Sequence, residues 1–173
     1  MLTLPPGRWD RMLVPAMILS GLAAAVAVLG YVGVRVNWTR SEPIGVYWVR
    51  PVTEPIQVGQ MIEFCPPVKR YPFMLKGDCP GGTESFLKQV VGVPGDWVTV
   101  SDSGVTVNGV MLPDSCPRRH ARSDASILLP VLRGKFQIRK GQYWVYGRGL
   151  PAESFDSRYW GPVEVGAVTG VVK

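Results

Sequence analysis

From Met12 to Val34 the chain carries no charged residue, and the stretch Leu13 to Gly33 is dominated by Leu, Val, Ile, Ala and Met. At about 1.5 Å per residue, a helix of this length matches a hydrocarbon core of roughly 30 Å. Pro15 near its start is compatible with a membrane span. A run of this kind restricts the chain to one N-terminal transmembrane helix followed by a separate body. Arg8 and Arg11 with small residues at Ala23–Ala27 would also suit a cleaved signal peptide. The apolar run continues past those alanines to Val34, which favours a retained anchor. Arg8 and Arg11 precede the run and Arg35 and Arg40 follow it, so charge balance does not fix the orientation. We take an N-in, C-out arrangement: residues 1–11 form a cytoplasmic N-terminus, 12–34 the anchor and 35–173 an exported domain.

Beyond the anchor the pattern changes to short β-favouring runs broken by Gly and Pro, which predicts a mainly β body. Candidate strands are 45–49, 60–64, 86–93, 97–101, 104–107, 110–112, 142–146 and 165–172. Asn108-Gly109 between two of them has the composition of a type I′ hairpin turn, whose central residues both need positive φ. No amphipathic helix of useful length stands out. Residues 65–83, rich in Pro and Gly, and 113–134, which carry Arg118-Arg119-His120-Ala121-Arg122 and the apolar Ile127–Leu132, interrupt the β pattern and are read as insertions. The apolar patch would pack on the body or dip into a membrane surface.

With 173 residues the chain has room for one such domain but not for two catalytic ones. Its net charge of +6 is concentrated most densely in the 118–122 run. That run lacks interleaved aromatic residues and lies in no nucleic-acid-binding motif, so a solvated loop or a contact with anionic lipid is expected and nucleic acid is not. An exported domain would preserve a disulfide. Among Cys65, Cys79 and Cys116 a Cys65–Cys79 bridge would close a Pro- and Gly-rich loop, although sequence alone does not choose the pair or exclude three thiols.

The chemistry centres on Ser41 and Lys88. A serine hydroxyl needs a neighbouring base to act as a nucleophile. The single histidine, His120, stands among arginines that would favour its unproductive protonated form. Lys88 serves better if burial keeps it neutral. On an alternating strand Phe86, Lys88 and Val90 share one face, which places the amine on an apolar surface. If the strand were an edge, Lys88 would instead extend to solvent. Ser41 follows closely on the anchor, where a substrate leaving the bilayer would pass. The three cysteines and one histidine have no metal-ligand spacing, so neither a metal nor another cofactor is expected.

Three blocks then carry a resemblance: Ser41-Glu42-Pro43-Ile44-Gly45-Val46-Tyr47, Lys88-Gln89-Val90-Val91-Gly92-Val93-Pro94-Gly95-Asp96, and Ser154-Phe155-Asp156-Ser157-Arg158-Tyr159-Trp160-Gly161. In this order behind an N-terminal anchor they resemble the nucleophile, general-base and C-terminal boxes of the type I signal peptidase superfamily of serine-lysine peptidases. Small size, the wording of the first block and the Cys65 and Cys79 flanks are most similar to its TraF-type conjugative transfer peptidases, which mature pilin subunits for type IV secretion. The resemblance implies a signal-peptidase-like β-body in the periplasm. It makes Ser41 the nucleophile, Lys88 the base, and the Ser41 N–H and Thr39 hydroxyl the oxyanion donors. Ser154 would orient the lysine amine, Asp156 would pair with Arg158 beneath the site, and Pro43 and Ile44 would contact substrate. The implied partners are the lipid bilayer and a pilin-like precursor, with release of a linear or a cyclised product. Leader peptidases usually carry Gly-Asp-Asn ahead of the last block, where this chain has Gly147-Arg148-Gly149, so an acidic group near the site is expected to be missing. A general signal peptidase and a non-catalytic envelope scaffold are the rival assignments.

Overall fold

The computed structural model describes residues 10–53 and 55–173. Most of the expected cytoplasmic N-terminus, residues 1–9, lies outside the described residues. The chain divides into two compact units, one ending at Arg35 and one beginning at Val36. In the first, helix α1 spans Asp10–Tyr31 and contains Pro15. Its Leu13–Tyr31 portion is long and apolar enough to cross a membrane, which makes it a candidate anchor. The helix stops where Gly33 takes a φ of 91°, a conformation that a residue with a Cβ rarely adopts.

The second unit is mainly β. Its strands are β1 (Val34–Asn37, which begins in the preceding unit), β2 (Gly45–Arg50), β3 (Met61–Phe64), β4 (Phe86–Gly92), β5 (Trp97–Ser101), β6 (Gly104–Val107), β7 (Val110–Met111), β8 (Gly134–Gln137), β9 (Gln142–Tyr146), β10 (Val163–Glu164) and β11 (Val168–Val172). A seven-stranded sheet has the order β1-β2-β11-β3-β4-β9-β10, and a four-stranded sheet the order β7-β6-β5-β8. Asn108 and Gly109 have φ values of 51° and 83°, as the hairpin between β6 and β7 requires.

Alternation along β4 decides what the site can be. Lys88, Val90 and Gly92 are buried, whereas Gln89 and Val91 are only partly so. The strand is not an edge: it pairs antiparallel with β3, where Ile62 faces Lys88, and with β9, where Val145 faces Val90. Val90, Val145, Ile62 and Phe64 are fully enclosed in one apolar cluster. Each such side chain contributes about 1.5–3 kcal/mol when removed from water. A lysine in this row therefore points into a packed interior, and the route to solvent that an edge strand would allow is closed.

Three strands were not apparent from the pattern, namely β1, β8 and β10, and they are short or begin at glycine. The expected strand at 165–172 is instead a 3-10 turn over Val165–Ala167 followed by β11. The 113–134 segment packs on the body: Leu129 and Val131 lie against Met74, Phe155 and Tyr159, and Leu132 against the Val98–Trp144 cluster. A disulfide joins Cys65 to Cys79 across a separation of 14 residues and leaves Cys116 as an exposed thiol. Closing a loop of this length stabilises a fold by about 3 kcal/mol in the chain-entropy picture. Reduction is accordingly expected to lower the thermal midpoint by several degrees, and Cys116→Ala to leave it unchanged. Differential scanning calorimetry with and without reductant checks this, and an unmoved midpoint on reduction would contradict it.

Candidate active site

The loop that presents Ser41 is tied together by a side chain whose role sequence reasoning missed. Asn37, buried at the end of β1, places its Nδ2 within hydrogen-bond distance of the carbonyl oxygens of Thr39 (3.0 Å), Glu42 (3.2 Å) and Pro43 (3.0 Å). Its Oδ1 accepts from the Thr39 amide at 3.2 Å and from the Thr39 hydroxyl at 2.7 Å. The Tyr47 hydroxyl donates to the Pro43 carbonyl at 2.6 Å. These contacts give the loop a single shape and replace backbone pairing that a tight turn cannot make. The available signal was Asn-x-Thr, an asparagine able to satisfy a backbone amide two residues ahead.

Ser41 and Lys88, 47 residues apart in sequence, meet inside the body, with Lys88 Nζ 2.7 Å from Ser41 Oγ. Both are buried, the lysine with only 5% of its surface exposed. The amine also donates to the Leu87 carbonyl at 3.0 Å and sits 5.4 Å from the centre of the Phe86 ring. Burial holds the Lys88 value below that of an ordinary lysine. Glu42 and Asp156 oppose this shift, and Arg158 adds to it. An amine that is readily neutral, within hydrogen-bonding reach of a hydroxyl, can act as its base.

The C-terminal block closes the site from the far side. Asp156 caps the short helix α2 (Ser157–Trp160) by accepting from the Arg158 amide. Its carboxylate also takes the Arg158 guanidinium in a two-point pair, at 2.8 Å from Nε and 2.9 Å from Nη2, and both side chains are wholly buried. The same carboxylate accepts from the Gly147 amide at 3.2 Å, while Arg158 Nη2 donates to the carbonyls of Pro151 and Ser154. Asp156 and Arg158 are therefore a capped and enclosed pair, not two residues on one face of a strand. The Ser157 hydroxyl accepts from the Val145 amide and anchors α2 to β9.

Two expectations need correction. Ser154 is buried, but among the described residues its hydroxyl has no hydrogen-bond partner and so makes none to the lysine amine. The Lys88 amine bonds instead to Ser41 and Leu87, while Ser154 packs on Gly147 so closely that a Cβ there would lie 2.1 Å from its Oγ. The second concerns the site's acidity: the Gly147-Arg148-Gly149 turn carries no acidic residue, but the site does not lack one. Glu42, 3% exposed, and Asp156 both act on the Lys88 amine. The glycine at 149 is required by close approach: its amide donates to the Ser41 carbonyl at 3.0 Å, and a Cβ would lie 2.6 Å from the Arg40 carbonyl.

Thr39 lies beside Ser41, its Oγ1 3.2 Å from Ser41 Oγ, with its own hydrogen directed to Asn37. Pro43 and Ile44 are exposed next to Ser41. His120 lies elsewhere, lining a cavity of about 420 Å³ with Arg118, Arg122 and Tyr159 that includes Ser154 but neither Ser41 nor Lys88.

Comparison with known proteins shows the family. Residues 7–173 match the model of the family described as signal peptidase, peptidase S26, and the chain belongs to that family. It is 32% identical to a plasmid transfer protein TraF of Escherichia coli over 91% of each chain. It is 30% identical to a conjugal transfer protein TraF of Agrobacterium tumefaciens (strain 15955), covering 86% of this chain and 83% of that one. A crystal structure of a signal peptidase I from Enterococcus faecalis V583 aligns with 69% of this chain and 98% of its own at 23% identity and a TM-score of 0.41.

The buried pair makes a direct prediction. Asp156→Asn leaves the Arg158 charge enclosed without its counter-charge and should lower unfolding stability by roughly 3 kcal/mol. Urea denaturation measures it, and a loss below about 1 kcal/mol would show that the pair contributes little beyond a neutral hydrogen bond.

Proposed function

We propose that this chain is a membrane-anchored serine endopeptidase that uses a Ser41–Lys88 dyad to remove a signal or terminal peptide from an exported, pilin-like precursor during conjugative transfer. The observation that carries the proposal is the 2.7 Å approach of a buried lysine amine to a buried serine hydroxyl. As Ser41 Oγ attacks the scissile carbonyl, its O–H bond breaks and an N–H bond forms on Lys88. The tetrahedral oxyanion would be met by the Ser41 N–H and by the Thr39 hydroxyl once that hydroxyl turns away from Asn37. Collapse returns the proton to the leaving amine and leaves an ester on Ser41. Water then releases a linear product, or an amine of the same substrate a cyclic one. Pro43 and Ile44 line the approach for an extended peptide cut after a small residue. Asp156 and Arg158 hold the floor of the site.

A periplasmic site follows if α1 is retained as the anchor with its N-terminus inside. The Cys65–Cys79 disulfide supports that placement, because such bridges persist in oxidising compartments. The plasmid and conjugal transfer proteins that align with most of this chain support a dedicated substrate of a transfer apparatus over a general range of secretory precursors. The basic 118–122 segment is solvated and suits anionic lipid better than nucleic acid. No cofactor enters the scheme.

Ser41→Ala and Lys88→Ala are each expected to reduce precursor cleavage by about 10⁴-fold or more without loss of thermal stability. Processing unchanged by Ser41→Ala would favour the scaffold. The sign of the pH dependence is fixed by the lysine. Burial lowers its value below 10.5, so the neutral fraction is negligible well below that lowered value and grows as pH rises through it. kcat/KM should therefore climb with pH on a single acid limb below that of free lysine, and a profile flat across the acid-to-alkaline range would contradict Lys88 as base.

A further inference from the structure

Glu42 stands between the nucleophile and the following proline, a loop position at which a glutamate is ordinarily solvated. Here its surface is 3% exposed, although the next two residues, Pro43 and Ile44, are open to solvent. A buried carboxylate is unfavourable unless its environment uses the charge. Its Oε1 accepts from the Gln89 amide at 3.3 Å, immediately beyond Lys88 on β4, and the nearby Arg148 amide favours its charged form. The Glu42 carbonyl is held by Asn37, and Gly149 approaches the Glu42 backbone so closely that a Cβ would come within 2.9 Å. One residue thus touches the three segments that form the site: it belongs to the Ser41 loop, its side chain bonds to the Lys88 strand, and its backbone packs on the turn after β9.

We propose that Glu42 is a positioning residue, whose carboxylate clamps the Ser41 loop to β4 and whose negative charge supports the proton that Lys88 takes from Ser41. This rests on the dyad proposed above. The charged and titratable groups facing Lys88 are Glu42 from the loop and Asp156 and Arg158 from the C-terminal block; those facing Glu42 are Lys88, Asp156 and Tyr47. Asp156 is already engaged in its two-point pair with Arg158. Glu42 is bonded to the Gln89 amide, which places its charge without neutralising it. Desolvation raises the Glu42 value, and Lys88 and the amides counter that rise. The carboxylate keeps its own proton count through the step: the Ser41 O–H bond breaks, the Lys88 N–H bond forms, and the new ammonium sits in the field of an existing anion.

Glu42→Gln keeps an acceptor oxygen for the clamp and removes the charge. In the full-length chain in detergent, the Lys88 titration is read by NMR on ¹³Cε-labelled lysine, assigned with Lys88→Arg, alongside the pH profile of kcat/KM on a synthetic peptide substrate. The expected result is a Lys88 midpoint and an acid limb that both move to lower pH by about half a unit or more. Plateau kcat should fall roughly three- to tenfold, with KM within about twofold of the parent. A Lys88 midpoint that is unmoved or raised overturns the proposal. If Glu42→Gln does not fold, Glu42→Met, an apolar replacement of similar volume, is read in the same way. Failure of both to fold assigns Glu42 to the fold and also overturns it. The two levels separate cleanly: a parent enzyme with no acid limb, or an active Ser41→Ala variant, sinks the dyad itself, whereas a normal parent limb shared by the variants sinks only Glu42.

Discussion

A lysine amine buried in a packed sheet, where desolvation weakens its hold on a proton, is the condition on which the rest of this molecule depends. A charged lysine at position 88 would face Ile62 across the β3–β4 ladder in an interior already filled by Val90 and Val145. Taking its charge out of water costs several kcal/mol, and the protein avoids most of that cost by lowering the affinity of the amine for its proton. The same desolvation that makes the site unfavourable for an ammonium is what the proposed role of the amine as a base requires. Fold and chemistry are therefore coupled at one atom, the Nζ that lies 2.7 Å from Ser41.

The surrounding polar groups regulate how far this goes. Asp156 and Arg158 neutralise each other, cap α2 and brace the carbonyls of Pro151 and Ser154, so they contribute rigidity more than net field. Asn37 gives the Ser41 loop its shape, and Gly149 lets the turn after β9 close on that loop. The side chains that define the reacting geometry come from a strand and from loops fastened by backbone contacts. That combination suits a site which must hold two groups in register while leaving Pro43 and Ile44 open to an extended chain.

Much of this was legible in the residues. The uncharged run gave the helix, because length and apolarity are read directly. Strands rich in Val, Ile, Tyr and Trp, such as β4, β5 and β9, were clear. The short β3, β6 and β7 were also read, but β1, β8 and β10 were not, since they exist through their partners and have little pattern of their own. Alternation placed Lys88 on the inner face, but only the pairing of β4 on both sides showed that no edge was available. The three sequence blocks brought Ser41, Lys88 and the Asp156–Arg158 pair to attention. They assigned Ser154 to the lysine amine, whereas its hydroxyl packs against Gly147. They also concealed Glu42, because whether a loop carboxylate is buried depends on which amides the fold delivers to it. Asn37 was missed for the same reason: its hydrogen bonds are local, but nothing in sequence shows that the loop needs them.

The account is tested most directly by asking where an acyl group lands and which residue permits it. Incubation of the purified full-length protein with an activated peptide ester, followed by peptide mapping in a mass spectrometer, should show one adduct, on Ser41, that is absent from Lys88→Ala. An adduct on another residue, or one on Ser41 that forms equally well without the lysine, would contradict it.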